Sequence, residues 1–158
     1  MNRWRRVRQL TLADYCLLGQ SVCLLPLAAA GLRCAGYNWC RSTLARAVPC
    51  RPREPHLQDE PEARRIARLV NVVARRMYFG PTCLHRSLVL WWLLRRRGID
   101  AALTFGARME GGQFHAHAWV ELLGRPLNDV DDIRLRFQAF EPAKAAGRMF
   151  RSDVMISG

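Results

Sequence analysis

The sequence predicts an α+β fold in which helices precede an antiparallel sheet. Apolar residues recur at three- and four-residue steps between residues 61 and 97, which is the helical period. After Gly98 the period changes to two, and two alternating runs flank the turn-forming pair Gly111-Gly112. With 158 residues, half of them apolar, the chain is long enough to form one unit with its own core.

The first fifty residues differ in character from the rest, and we predict that residues 1–50 form an apolar helical extension. Thr11 is a candidate N-cap for an apolar stretch that continues to Val48. Five of the six cysteines fall here, where we expect small buried hydrophobes in a reducing, cytoplasmic compartment. Because arginines precede the apolar stretch, a secretory signal or membrane contact through these helices is an alternative.

A proline-rich linker is predicted at residues 51–60, followed by one domain that covers residues 61–158. The domain is expected to begin with an amphipathic helix at residues 61–78, whose apolar positions fall on one face. A second helix is predicted at residues 82–97, with its first residue, a threonine, as N-cap.

Three strands are predicted after the second helix, at residues 101–109, 114–122 and 127–130. The even-numbered residues of the middle strand are apolar, so we expect them to face the core. His115 and His117 then lie together on the opposite face of that strand.

The net charge of +12 comes from arginine, since Lys144 is the single lysine among the 25 basic residues. The arginines are spread along the whole chain rather than clustered with aromatic residues, so no nucleic-acid partner is expected. A basic surface suits an acidic peptide, an acidic partner protein or an anionic membrane face. No Cys-x-x-Cys pair occurs, and neither a metal site nor a cofactor is expected.

Three residues on the predicted elements form a candidate catalytic site. Cys83 is expected at the first position of the second helix, where unpaired N–H groups and the helix dipole stabilise a thiolate or an oxyanion. His117 is a candidate general base on a rigid strand, and Asp129 is expected after the next turn, on the adjacent strand, where it can orient the imidazole. The pattern alone leaves His115 open as the base. Taken singly, each of these residues also fits a packing, surface or turn role.

Four short runs within residues 61–131 carry a family resemblance: Cys83-Leu84-His85-Arg86-Ser87-Leu88, Arg97-Gly98-Ile99, His117-Ala118-Trp119-Val120-Glu121 and Gly124-Arg125-Pro126-Leu127-Asn128-Asp129. They resemble the lasso peptide leader peptidases, which belong to the transglutaminase-like superfamily. The resemblance implies a papain-like cysteine peptidase core, in which a cysteine-bearing helix packs on an antiparallel sheet that carries the histidine and the aspartate. It also favours His117 over His115 as the base.

The resemblance further implies roles and partners. Cys83 would attack the scissile carbonyl of a ribosomally made precursor peptide, His117 would carry the proton, and Asp129 would orient His117. The implied partners are the precursor, a separate leader-recognition protein, for which the N-terminal helices are a docking candidate, and a lasso cyclase that closes the macrolactam with ATP. The resemblance implies no cofactor.

Two alternatives remain at the level of sequence. The first is another thiol acyl-transfer enzyme, a transglutaminase or an amidase, because water or an amine can resolve the same acyl-enzyme. The second is a non-catalytic binding module that uses the basic surface.

Overall fold

Helices occupy the first part of the chain and strands the second. The computed structural model describes residues 11–48, 53–78, 80 and 82–140. The helices are α1 (Leu12–Arg46), α2 (Glu60–Ala74), α3 (Cys83–Arg96) and the short α4 (Ile133–Arg136), and a 3-10 turn at Leu57–Asp59 precedes α2. The strands are β1 (Ala102–Glu110), β2 (Gln113–Leu122), β3 (Arg125–Pro126) and β4 (Gln138–Phe140), in the antiparallel order β3-β2-β1-β4. The predicted α+β class is therefore confirmed.

α1 consists of two helical segments that meet at Gly36, where ψ of 173° is not helical, and it packs against α2 and α3. It begins at the predicted N-cap, since the Thr11 backbone N–H donates to Asp14 Oδ2 at 2.8 Å. Asp14 also accepts from Arg65 of α2, with 2.7 Å between Nε and Oδ1, which ties the start of α1 to the rest of the fold. Gly36, with φ of 78°, kinks the helix. The helical extension is confirmed, and the domain boundary at residues 51–60 stays a prediction.

The orientation of α1 differs from the expectation. Of the cysteines expected to be buried, Cys40 is buried, whereas Cys16, Cys23 and Cys34 are exposed. Cys50 lies outside the described residues. The apolar composition thus predicts the helix but not which side of it faces the core.

α2 and α3 form the rest of the helical layer. α2 ends at Ala74, earlier than the predicted residues 61–78, because the chain turns at residues 75 and 76. α3 agrees with the predicted bounds within one residue at each end. The face of α2 turned to the core consists of small and β-branched residues: Ala63, Ile66, Ala67, Val70 and Val73.

β1 and β2 form the predicted hairpin. Gly111 and Gly112 connect them with φ of 58° and 77°, a backbone conformation that glycine adopts without strain. The register places Gly106 of β1 opposite His117 of β2.

The predicted third strand at residues 127–130 is wrong. Backbone pairing with β2 extends over Arg125–Pro126, and the Leu127 N–H still donates to the Val120 carbonyl at 2.8 Å. The side-chain Oδ1 of Asn128 then accepts the Val120 N–H at 2.8 Å, in place of a backbone carbonyl. A side chain thus completes the ladder, and the backbone turns away from the sheet.

The sheet is covered on both faces near the middle of β2. Ala118, Val120 and Leu122 are buried in the same core as α3, as predicted from their alternation. On the other face Trp119 is fully buried, although it shares that face with the histidines. A Cβ atom on Gly106 would lie 2.8 Å from the Trp119 ring, so this position of β1 has no room for a side chain.

Candidate active site

The N-terminus of α3 places Cys83 in the interior of the protein. Cys83 is the first residue of the helix and is 1% exposed. Thr82 is the N-cap, as predicted, and its backbone N–H donates to Nδ1 of His85 at 2.9 Å. His85 thus takes the place that a glutamate or glutamine occupies in a capping box. The sequence pattern missed this role because histidine is not a usual residue at that position.

His117 and Asp129 are joined directly. The distance between His117 Nε2 and Asp129 Oδ2 is 2.5 Å, and the two side chains are 14% and 18% exposed. The Val130 backbone N–H donates to the second carboxylate oxygen of Asp129 at 2.9 Å. The carboxylate is therefore fixed from both sides, and it holds the imidazole ring in one orientation.

The electrostatics of the pair favour the charged forms. Burial lowers the pKa of His117, but hydrogen bonds with Asp129 and Cys83 outweigh burial and raise the pKa of His117 to about 9. Burial raises the pKa of Asp129, but the bonds from His117 and from the Val130 N–H outweigh it and leave that pKa below its ordinary value. His117 is therefore an imidazolium at neutral pH. Because Nε2 is engaged with Asp129, Nδ1 is the ring nitrogen left for the Cys83 thiol.

The structure thus brings together all three residues of the predicted site. His117 contacts both Cys83 and Asp129. His115 lies two residues earlier on β2, opposite Arg108 of β1. The site geometry therefore involves His117, the histidine that the family resemblance favours.

Two aromatic rings hold the imidazole of His117. The Phe137 ring stacks on it with 5.1 Å between centroids and 28° between planes. Trp119 lies on the same strand at 6.1 Å and 23°. Arg108 in turn lies over Phe137, 4.9 Å from its centroid. Phe137 follows the helical turn α4, in a part of the chain where the sequence shows no clear period, so its position beside the site was not predicted.

A buried hydrogen-bond network connects the three elements of the site. Ser87, one turn after Cys83, donates to the Ala118 carbonyl at 2.9 Å, next to His117 in the chain. Asn128, which precedes Asp129, donates to Ser87 Oγ at 2.9 Å and accepts the Val120 N–H. Ser87 is 0% and Asn128 7% exposed. We call Ser87, Asn128 and the β2 backbone at residues 118 and 120 the buried network.

The combination has the parts that thiol acyl transfer requires. The sulfur of Cys83 lies at a helix N-terminus, whose free N–H groups are suited to an oxyanion. An oriented imidazolium contacts the sulfur, and a carboxylate supports the imidazolium.

Comparison with known proteins places the chain in a family. A profile of the transglutaminase-like superfamily matches residues 20–141, and the chain belongs to that superfamily. The chain is also similar to the microcin J25-processing protein McjB of Escherichia coli, with 32% identity over 78 residues. This alignment covers 49% of the chain and 36% of that relative, so about a third of the relative's length is represented. No solved structure gives a significant match. The predicted fold class and the family resemblance are confirmed.

Proposed function

We propose that the protein is a cysteine peptidase that removes the leader from a ribosomally synthesised lasso peptide precursor. The observation that carries this proposal is the contact of His117 with both Cys83 and Asp129. The similarity to a microcin J25-processing protein supports a role in the processing of such a peptide. The leader would be removed before a separate ATP-dependent cyclase forms the macrolactam.

The proposed chemistry proceeds through an acyl-enzyme. The Cys83 thiolate attacks the last carbonyl of the leader, and the N–H groups at the start of α3 stabilise the oxyanion. His117 donates its proton to the departing α-amine of the core peptide as the C–N bond breaks. Water, deprotonated by the now neutral His117, then hydrolyses the thioester and releases the leader. Asp129 keeps the ring in place during both steps.

The proposed partners follow from the same family resemblance. They are the precursor, a separate leader-recognition protein and the lasso cyclase. The net charge of +12 suits an acidic peptide or an acidic partner protein.

The decisive experiment is cleavage followed by mass spectrometry. The purified chain is mixed with its candidate precursor and recognition protein, beside the variants Cys83→Ala and Cys40→Ala. Cys40 is a matched control, because it is a second buried cysteine and lies on α1. We expect leader and core fragments from the wild type and from Cys40→Ala, and none from Cys83→Ala. Cleavage by Cys83→Ala would show that Cys83 is not the nucleophile.

A second candidate is transfer of the acyl group to an amine instead of water. The match to the transglutaminase-like superfamily supports this alternative, because the same acyl-enzyme can react with water or with an amine. Addition of a labelled primary amine distinguishes the two. A leader fragment whose mass is increased by the amine would indicate a transferase, whereas a free leader carboxylate indicates a peptidase.

A further inference from the structure

The exposed side of α1 is apolar between Leu12 and Ala30. Every exposed residue between Leu12 and Ala30 is uncharged. Leu12 is 81% and Leu27 66% exposed. At about 1.5 Å per residue the surface is about 27 Å long. We call it the outer strip, and its largest side chains are Leu12, Tyr15, Cys16, Val22, Cys23 and Leu27.

Two polar residues of this part of α1, Asp14 and Ser21, lie on its opposite, inner side. Asp14 is 3% exposed and accepts from Arg65. Ser21 is 0% exposed and donates to the Leu17 carbonyl at 2.8 Å. A helix on the surface of a water-soluble domain has the reverse arrangement, with apolar residues inward and polar residues outward. A continuous exposed apolar surface of this kind marks a contact site.

The inner side of α1 packs against α2 and α3. By length and composition α1 is apolar enough to cross a membrane. Crossing would, however, withdraw Leu25, which is 0% exposed, from the core and break the bond between Asp14 and Arg65. The packing of α1 on α2 and α3 therefore fits a helix that lies along a membrane surface rather than through it.

The charges around the outer strip indicate what covers it. Four arginines precede it in the sequence, between residues 3 and 8. Arg33 and Arg46 follow it, both exposed, and neither forms an ion pair with a carboxylate of the described residues, whereas Arg41 lies over the Trp91 ring of α3. Trp39, just beyond the strip, is 55% exposed. Apolar helix faces flanked by arginines and interfacial aromatic residues are typical of contact with anionic lipid.

A specific protein partner fits the strip less well. Protein interfaces carry roughly one hydrogen bond per 100–200 Å². The hydroxyl of Tyr15 is the one strong hydrogen-bonding group among the exposed side chains of α1 between Leu12 and Ala30. The strip can therefore contribute buried apolar area but few directional contacts.

We propose that the outer strip docks α1 flat against an anionic lipid surface, with the flanking arginines at the headgroups. The basic flanks bring the helix to the surface, and the strip enters the boundary between headgroups and acyl chains. This interaction is independent of the proposed peptidase activity, so either can be present without the other.

The first test is sedimentation of the full chain with vesicles. The double variant Val22→Glu/Leu27→Glu places two charges on the strip. Its matched control is Leu57→Glu/Val72→Glu, which makes the same change at two exposed apolar residues outside α1. We expect the wild type and the control to bind vesicles of phosphatidylcholine mixed with phosphatidylglycerol. The strip variant should bind about tenfold or more weakly, because it loses apolar insertion and adds repulsion.

Two outcomes of the sedimentation would overturn the proposal. Equal binding by the strip variant and the wild type would mean that the arginines act without the strip. Equal binding of the wild type to pure phosphatidylcholine would rule out an anionic surface as the specific target.

The second test uses native thiols and needs no substitution on α1. Cys16 and Cys23 lie on the strip and are exposed. We expect a maleimide to label both quickly in solution and several-fold more slowly with anionic vesicles. A Leu57→Cys reference should be labelled at the same rate in both conditions. Slow labelling of Cys16 and Cys23 without vesicles would overturn the proposal, because another part of the chain or a second copy would then cover the strip. A dimer that Val22→Glu/Leu27→Glu dissociates would identify the second copy.

Discussion

His117 carries a proton at neutral pH because both of its hydrogen-bonding partners favour the imidazolium. Burial acts in the opposite direction, since a buried ring loses the hydration of its charge. The bonds with Asp129 and Cys83 outweigh that loss and raise the pKa of His117 to about 9. In the proposed mechanism, the proton that the leaving amine needs is therefore already on the ring when the substrate binds.

The rate of cleavage should report this proton directly. We expect kcat/KM to decrease as pH rises through about 9, because a neutral His117 cannot donate to the leaving amine. Asp129→Asn removes a partner that raises the pKa of His117 and leaves the burial that lowers it, so the decrease should move to lower pH. The rate at neutral pH should also fall, by roughly 10²- to 10⁴-fold. A pH profile of Asp129→Asn that coincides with the wild-type profile would contradict the orienting role.

The buried network should affect stability as well as activity. Asn128→Ala leaves the Val120 N–H without its side-chain acceptor and removes a donor to Ser87. A buried polar group without a partner costs about 1–3 kcal/mol. We therefore expect a loss of at least that size in the free energy of unfolding, together with slower cleavage.

Chemical denaturation measures the effect, and Ser42→Ala is the control, because its hydroxyl bonds the Trp39 carbonyl in an exposed position. In a double-mutant cycle Ser87→Ala and Asn128→Ala should be non-additive, since they share a hydrogen bond. Additive losses would mean that the two side chains act separately.

At the scale of elements, α1 belongs to the same core as α3, the helix that bears Cys83. Leu17, Leu25 and Ala28 of α1 lie in one apolar cluster with α3 residues, including Cys83. The sequence pattern predicts an N-terminal helical extension, because composition changes near residue 50, but it leaves open whether the extension packs on the domain or on a partner. Composition along the chain does not show which elements pack on each other.

Leu25 and Leu27 of α1 lie on opposite sides of the helix. Substitutions at these two positions therefore test the core contact and the outer strip separately. Leu25 is 0% exposed, so Leu25→Ala should lower the free energy of unfolding by about 2–5 kcal/mol. Leu27 is 66% exposed, and Leu27→Ala should stay within about 0.5 kcal/mol of the wild type. Denaturation followed by far-UV circular dichroism measures both. Equal stability of the two variants would indicate that α1 folds apart from the domain.

Errors in the predicted elements have local physical causes. The N-terminus of α3 is predictable because Thr82 is a good N-cap. The strand predicted at residues 127–130 does not form because the Asn128 side chain replaces a backbone acceptor, and apolar alternation does not report this. The capping role of His85 is missed for a similar reason, since only the folded chain shows that a ring nitrogen accepts the Thr82 N–H.

For the whole molecule, the charged groups set the pH range of greatest stability. Hydrogen bonds from arginine lower the pKa of Asp59 and Glu60, and hold that of Asp14 at about 2. When the pH falls below the ordinary pKa values of these carboxyl groups, the unfolded chain binds more protons than the folded chain. The free energy of unfolding therefore decreases in acid. The contribution of His117 to stability depends on pH in the opposite direction, because the folded chain keeps the His117 proton up to about pH 9. Its contribution is complete below about 6.5 and is lost as pH rises.

The midpoint temperature of unfolding should therefore have a plateau between about pH 5 and pH 6.5 and should fall on both sides. A scan of thermal unfolding from acid to alkali measures it. Asp129→Asn should flatten the alkaline side, because the folded and unfolded chains then hold the His117 proton more equally. An unchanged alkaline side in that variant would show that another group controls it.

The candidate site as a whole was more predictable than its surroundings. Cys83 follows from a helix boundary that the sequence pattern marks, whereas His117 is chosen over His115 through the family resemblance, and Asp129 lies outside the strand predicted for it. Phe137 and the buried network could not be predicted, because their partners are distant in sequence and one of them, Ala118, contributes only a backbone carbonyl. Such contacts depend on the packing of several elements at once.

The buried network also joins residues that leave the ribosome at different times during synthesis. The network forms only when Asn128 bonds Ser87, 41 residues earlier in the chain. A chain that has emerged only as far as the β1–β2 hairpin therefore contains Cys83 and His117 but not Asp129. The loop between Ser87 and Asn128 must close before the three groups can meet, and the same closure completes the core beneath them. A partly made or misfolded chain therefore lacks the assembled site, and the three groups meet only in copies that have finished folding.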